Sequence, residues 1–94
     1  DLVVAATNPD DPYAAAGPAP TRVGDADVDI FNTGRLTMAM NITGLPAISL
    51  PAGLSPAGLP VGLQLIGPRH HDALLLAVAA RYEQARPWPL VAPR

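Results

Sequence analysis

The stretch Asn41–Gly67, NITGLPAISLPAGLSPAGLPVGLQLIG, contains two apolar runs with almost no polar face, and strands of that kind cannot line a wet surface. Thr43-Gly44 followed by Leu45-Pro46 marks a helix end. Residues 46–50 then read as a short strand, 51–59 as a Pro/Gly-rich loop and 60–66 as a second strand, stopped by Gly67-Pro68. Pro46 stands at a strand start, where a missing N–H is tolerated. In the second strand Val61, Leu63 and Leu65 alternate with Gly62, Gln64 and Ile66. Gln64 is therefore the one polar side chain in the middle of a covered strand, and it needs hydrogen-bond partners. A hairpin closed by AGLSPAG pairs the two strands antiparallel. Since a lone hairpin is only marginally stable in water, it is expected to belong to a larger sheet.

The flanks supply what would cover that sheet. Residues 71–86 form the clearest helix: Leu74, Leu75, Val78, Tyr82 and Ala85 make an apolar stripe, while Arg81, Glu83, Gln84 and Arg86 take the other side. Asp72 suits the positive end of that helix's dipole and Pro87 closes it. Trp88 follows in an extended tail, with its ring expected to fold back onto the body. Upstream, a second helix is predicted over about 33–43, with Asn32 or Thr33 as N-cap and Gly44 just past its end. Leu36, Met38, Met40 and Ile42 point in several directions, so this helix should be buried all round. LVVAA, within 2–6, has the length and composition of a strand buried on both faces. Between them, 7–29 keeps neither the helical nor the strand period; it is read as an irregular arm anchored by Tyr13 and Val23 against another part of a larger protein.

The pattern N-x-x-G-L-P-A-x-S-x-P-x-G, followed by G-L-P-x-G-x-Q-L-I-G and the LLLAVAARYEQA helix, closely resembles the C-terminal end of the amidase signature family. The resemblance runs from Leu36 to Trp88. These are serine amidohydrolases with a Ser–Ser–Lys triad. The resemblance implies an α/β fold, a single α/β/α domain whose large mixed sheet is covered by helices on both faces. To it this chain would contribute an inner strand, an antiparallel pair and two covering helices, so that 1–94 is the C-terminal fragment of one amidase domain. The implied reaction is hydrolysis of a carboxamide through an acyl-serine intermediate, with no metal or organic cofactor. The implied partners are the remainder of the amidase chain and a small-molecule amide substrate. A homodimer of the parent enzyme is left open.

In that family the lysine and the paired serines lie upstream of this region. The present sequence has no lysine, and its only serines, Ser49 and Ser55, lack a Gly-rich loop to present backbone N–H groups to an oxyanion. The chain by itself is therefore expected to be inactive. A start at Asp1, with methionine only at Met38 and Met40, fits a processed or truncated beginning.

Composition points the same way. Charged residues make up 15% of the 94, against about 25% in ordinary soluble domains, and apolar residues make up 49%. Twelve prolines are more than twice the usual share of about 5%. A self-contained domain of this size would lack polar residues to cover its outside. The net charge of −2 offers no basic stripe for nucleic acid. Zero cysteines exclude disulfide and thiolate chemistry and suit a cytoplasmic protein. No apolar run approaches the roughly 20 residues that span a bilayer, and no secretory leader is visible, so no membrane partner is expected.

Several residues invite chemistry they do not support. His70, His71 and Asp72 are adjacent in sequence and do not converge, and no further His or Cys completes a coordination sphere. Asp25-Ala-Asp-Val-Asp29 opens like a calcium loop but has Ile30 at the sixth position and Leu36 at the twelfth, where Gly and Glu are required. Ser49 lies in AISLP and not in a G-x-S-x-G elbow, which argues against a nucleophile served by His70 or His71. Asn41-Ile42-Thr43 is formally a glycosylation acceptor, yet it sits inside an apolar helix. Phe31, Thr33, Gly34 and Arg35 form the one candidate cluster: the resemblance places the turn into this helix at the border of the substrate pocket. A helix start with a surface arginine is the plainer alternative. Amidotransferase members tend to carry an acidic group near Gly34, which counts against glutamine-dependent transfer here. Two other functions stay open: a stand-alone, non-catalytic interaction module, and part of an A-type amidotransferase subunit.

Overall fold

The computed structural model describes residues 1–89; positions 90–94 of the expected 1–94 unit lie outside the described residues. The chain forms β1 (Val3–Ala6), a small hairpin of β2 (Arg22–Val23) and β3 (Ala26–Asp27), and a 3-10 turn at Ile30–Gly34. It continues with α1 (Arg35–Thr43), β4 (Ala47–Leu54), β5 (Pro60–Ile66) and α2 (Asp72–Ala85). β1, β5 and β4 make an antiparallel sheet with β5 in the middle.

The register assigns each β5 residue its neighbours. Leu63 lies between Ala6 and Leu50, Leu65 between Val4 and Ile48, and Gln64 between Ala5 and Ser49. Because side chains alternate along a strand, Leu63, Leu65, Ile48 and Leu50 share one face, and α2 packs there. Leu50, Leu65, Leu75 and Ala79 are the buried core, with Val78, Tyr82 and Trp88 against it. The apolar stripe of α2 is thus Leu75, Val78, Ala79 and Tyr82, at i, i+3, i+4 and i+7. Leu74 and Ala85, expected on the stripe, are exposed: on a helix of 3.6 residues per turn they stand to the side of that line. The Trp88 ring lies 6.0 Å from that of Tyr82, so the tail does fold back.

The strand expected over 46–50 is longer. Pro51 reads as a stop, but β4 is an edge of the described sheet, where a missing N–H breaks no ladder bond. A bulge between Pro51 and Gly53, with Gly53 at φ 125°, carries the strand on to Leu54. The Tyr82 hydroxyl donates to the Pro51 carbonyl at 2.9 Å, tying α2 to the bulge.

Close approach explains two glycines of the motif. A Cβ on Gly62 would lie 2.7 Å from the Thr7 hydroxyl and 2.8 Å from the Ser49 hydroxyl, which share a hydrogen bond of 2.6 Å across the sheet face. A Cβ on Gly67 would press on Leu75 at 3.2 Å, so glycine there lets α2 lie close to the sheet end.

The helix predicted over about 33–43 divides into the 3-10 turn and α1. Neither Asn32 nor Thr33 is its cap. Asp29 caps the turn by accepting from the Phe31 N–H at 2.9 Å, and Gly34 precedes α1. Gly44, at φ 67°, ends α1 as expected of a residue in the left-handed region. The expected burial of α1 is not found: it has no buried residue, and Ile42 is 78% exposed. Likewise Val3 and Val4 of β1 are each 61% exposed. Nothing among the described residues lies over these surfaces. The arm is not wholly irregular either, since Gly24, at φ 57°, turns the chain between β2 and β3. The Arg22–Asp27 ion pair there is 3.3 Å long and exposed on both sides, a contact of little energetic weight.

Replacing Gly62 with alanine should cost about 1–3 kcal/mol, the usual range for overpacking, read as a lower denaturant midpoint. Adding Thr7→Ala and Ser49→Ala should recover part of that loss, because the two oxygens that clash are then gone.

Candidate functional site

The turn singled out from the sequence follows directly from local chemistry. Asp29 leaves β3 in extended backbone, φ −92° and ψ 175°, and its carboxylate accepts the free N–H of Phe31 in the turn's opening. This fixes Ile30–Gly34 in a tight helix, after which Gly34 admits the change to α1. Thr33 and Thr37 return their hydroxyls to the carbonyls of Ile30 and Gly34, which keeps both side chains close to the backbone.

Of the four candidate residues, Thr33 lines an open cleft of about 220 Å³ between the turn and the arm that follows β1, facing Asn8, Asp10, Asp11 and Tyr13. Phe31 is 67% exposed beside it, and Arg35 is exposed and makes no ion pair among the described residues. Gly34 joins the 3-10 turn to α1. The turn therefore carries all four on a short segment, but the described residues bring only Thr33 into the cleft.

Asn32 also lines this cleft and is buried to 7% exposure, whereas the sequence marks it only as a possible cap. The available signal is weak, because an asparagine next to a predicted helix start reads as a cap. Asp29 has a clearer signal: an Asp immediately before IFNTG is itself a good cap candidate. A second cleft of about 330 Å³ lies between Asn8–Pro12 and the Pro60–Gly62 end of β5.

Two of the rejected candidates are hydrogen-bonded elsewhere. The Ser49 hydroxyl is bonded to that of Thr7, and His71 Nδ1 sits 2.9 Å from the Arg69 carbonyl. They form no nucleophile–base pair. Among the described residues no three of the His, Asp and Glu side chains gather as metal ligands would. Among the same residues no helix is long and apolar enough to cross a membrane.

Comparison with known proteins identifies the frame around this turn. The family model described as Amidase matches residues 1–76. The chain belongs to the amidase family. The A-type subunit of the glutamyl-tRNA(Gln) amidotransferase from Thermodesulfovibrio yellowstonii is 44% identical over 69 residues, covering 73% of this chain and 14% of that protein. Among solved structures, a bacterial aryl acylamidase of the amidase signature enzymes family superimposes with a TM-score of 0.82 at 35% identity, over 94% of this chain and 19% of that one. The 6-aminohexanoate cyclic dimer hydrolase superimposes with a TM-score of 0.78 at 32% identity, over 100% of this chain and 21% of that one. The α/β arrangement seen here is thus part of the amidase signature fold, and the chain spans about a fifth or less of these relatives' length.

Asp29→Ala should fray Ile30–Gly34 and cost about 1 kcal/mol, as loss of a side-chain cap usually does. Faster amide exchange at Phe31 is the direct readout, and Asp29→Asn, which keeps an acceptor, should stay close to the parent.

Proposed function

We propose that these residues are the C-terminal portion of an amidase that hydrolyses a carboxamide through an acyl-serine intermediate, with the catalytic triad outside this chain. The observation that carries the proposal is the conjunction of the amidase match over 1–76 with a sequence that has no lysine to serve as the base of the triad. In such a reaction a serine oxygen bonds to the amide carbonyl carbon, the C–N bond breaks, and the amine leaves with a proton. Water then releases the acid and restores the serine. N–H donors aimed at the carbonyl oxygen stabilise the tetrahedral stage.

Within that reaction this chain supplies scaffold and one wall. Phe31, Thr33, Gly34 and Arg35 are assigned to the border of the substrate pocket. Support comes from the cleft beside Thr33 and from the exposure of Phe31 and Arg35, which leaves them free to meet a ligand or the remainder of the domain. The remainder of the amidase chain is the natural cover for the exposed faces of α1 and β1. A cytoplasmic location, a small-molecule substrate and the absence of nucleic-acid or membrane partners complete this reading, in keeping with zero cysteines and a net charge of −2.

A second reading is favoured by the curated relatives, which are named as A-type subunits of glutamyl-tRNA(Gln) amidotransferases. Under it the parent protein is one component of an amidotransferase that works with partner subunits and tRNA. The solved structural relatives, an acylamidase and a cyclic-dimer hydrolase, favour simple hydrolysis, as does Gly34 in place of an acidic residue.

The full-length protein distinguishes the two. Hydrolysis of an anilide or a linear aliphatic amide without tRNA is the outcome expected here, whereas glutamine-dependent conversion of glutamyl-tRNA(Gln) would move the assignment to the second reading. The purified 94-residue chain should turn over none of these amides, and it should associate or aggregate. Turnover that disappears on Ser49→Ala would overturn the proposal, and a monomer with one sharp unfolding transition would point instead to an independent interaction module.

A further inference from the structure

α1 has no buried residue, yet both of its ends are held by side chains from one short segment of the chain. At its first turn the Gln64 Nε2 donates to the Leu36 carbonyl at 3.0 Å. At its last turn the Arg69 guanidinium donates to the Thr43 carbonyl. Arg69 is exposed, while Gln64 lies in the middle of β5 at 3% exposure. The two bonds therefore differ in kind, because water can replace the arginine and cannot reach the glutamine.

A carbonyl oxygen has two lone pairs. The i to i+4 ladder of α1 uses one at Leu36, and Gln64 takes the other. The glutamine bond is thus not needed for the helix to form. What it settles is where the first turn of α1 sits over the central strand. Leu36 follows Gly34 and Arg35 within one turn, so a shift at its carbonyl is passed to them almost undiminished.

We propose that Gln64 is a positioning residue for the amide pocket: its side-chain N–H, through the Leu36 carbonyl, sets the placement of the turn that presents Thr33, Gly34 and Arg35 to substrate. This rests on the assignment of that turn to the pocket border. Gln64 itself touches no substrate. A side chain that only filled the core would be replaceable by an apolar one of the same length, and a positioning donor is not.

The test uses the full-length enzyme with an anilide or aliphatic amide it hydrolyses. Gln64→Met keeps length and burial and removes the donor; Leu36 retains its helical bond. Gln64→Asn keeps the donor on a stem too short to reach. Both should raise KM by roughly tenfold with kcat changed less than about twofold, the mark of lost alignment in binding. The thermal midpoint should move by no more than a few degrees. Amide exchange should quicken across Leu36–Met40 and stay unchanged in α2. An unaltered KM in Gln64→Met, or a fall in stability with exchange quickened throughout the protein, would overturn the proposal. Thr33→Ala and Arg35→Ala separate the two levels of inference. If they raise KM and Gln64→Met does not, only the positioning role fails; if they leave KM untouched, the pocket assignment fails and the positioning role goes with it.

Discussion

Among the described residues, the main sheet and both helices are arranged around one central strand. β5 gives both edges to β1 and β4, one face to α2, and the other to α1 and the hydroxyl pair of Thr7 and Ser49. A strand so enclosed tolerates little variation. Leu63 and Leu65 meet the core, Gly62 leaves room for two hydroxyls that a methyl group would strike, and Gln64, the only polar side chain that is enclosed there, spends its donor on a helix carbonyl. The order of residues in GLPVGLQLIG is in this sense a record of its neighbours.

The enclosure is one-sided in quality. The α2 face is a packed apolar layer, with Leu75 and Ala79 buried and Tyr82 linked to the Pro51 carbonyl at the bulge. On the other face Gln64 and Arg69 hold α1 by hydrogen bonds, and α1 itself has no buried residue. Because side-chain hydrogen bonds are directional and apolar contacts are not, a helix held in the first way is placed accurately while remaining thinly covered. That combination suits an element beside a ligand site, where the adjoining turn must keep its position without a thick layer of protein above it.

Much of this is legible in the sequence. The two strands, their pairing, the face carried by Leu63 and Leu65, the helix behind them and the need of Gln64 for a partner all follow from periodicity, glycine and proline placement, and the rule that buried amides are bonded. The departures share a cause. Pro51 reads as a stop because the sequence does not reveal which strand is an edge. α1 and β1 read as buried because apolar composition states what a surface requires, not whether the same segment of chain provides it. The turn at Phe31–Arg35 is found through its resemblance to a family, whereas Asn32 in the cleft and Asp29 as the cap carry ordinary polar side chains whose roles depend on where the backbone puts them.

The amino-acid sequence alone thus determined the β4–β5 pair with its core face, the α2 helix, the membership suggested by N-x-x-G-L-P-A-x-S-x-P-x-G, and the absence of a lysine base, since these depend on local spacing and on which chemical groups exist at all. Only the tertiary structure decided that Gln64 meets Leu36, that Thr7 meets Ser49 over Gly62, and that Thr33 faces the arm. Those pairs stand 28 and 42 positions apart for the two hydrogen bonds. No local period encodes such a distance; it is settled when strands and helices with compatible faces are brought together and the polar groups caught between them must find one another.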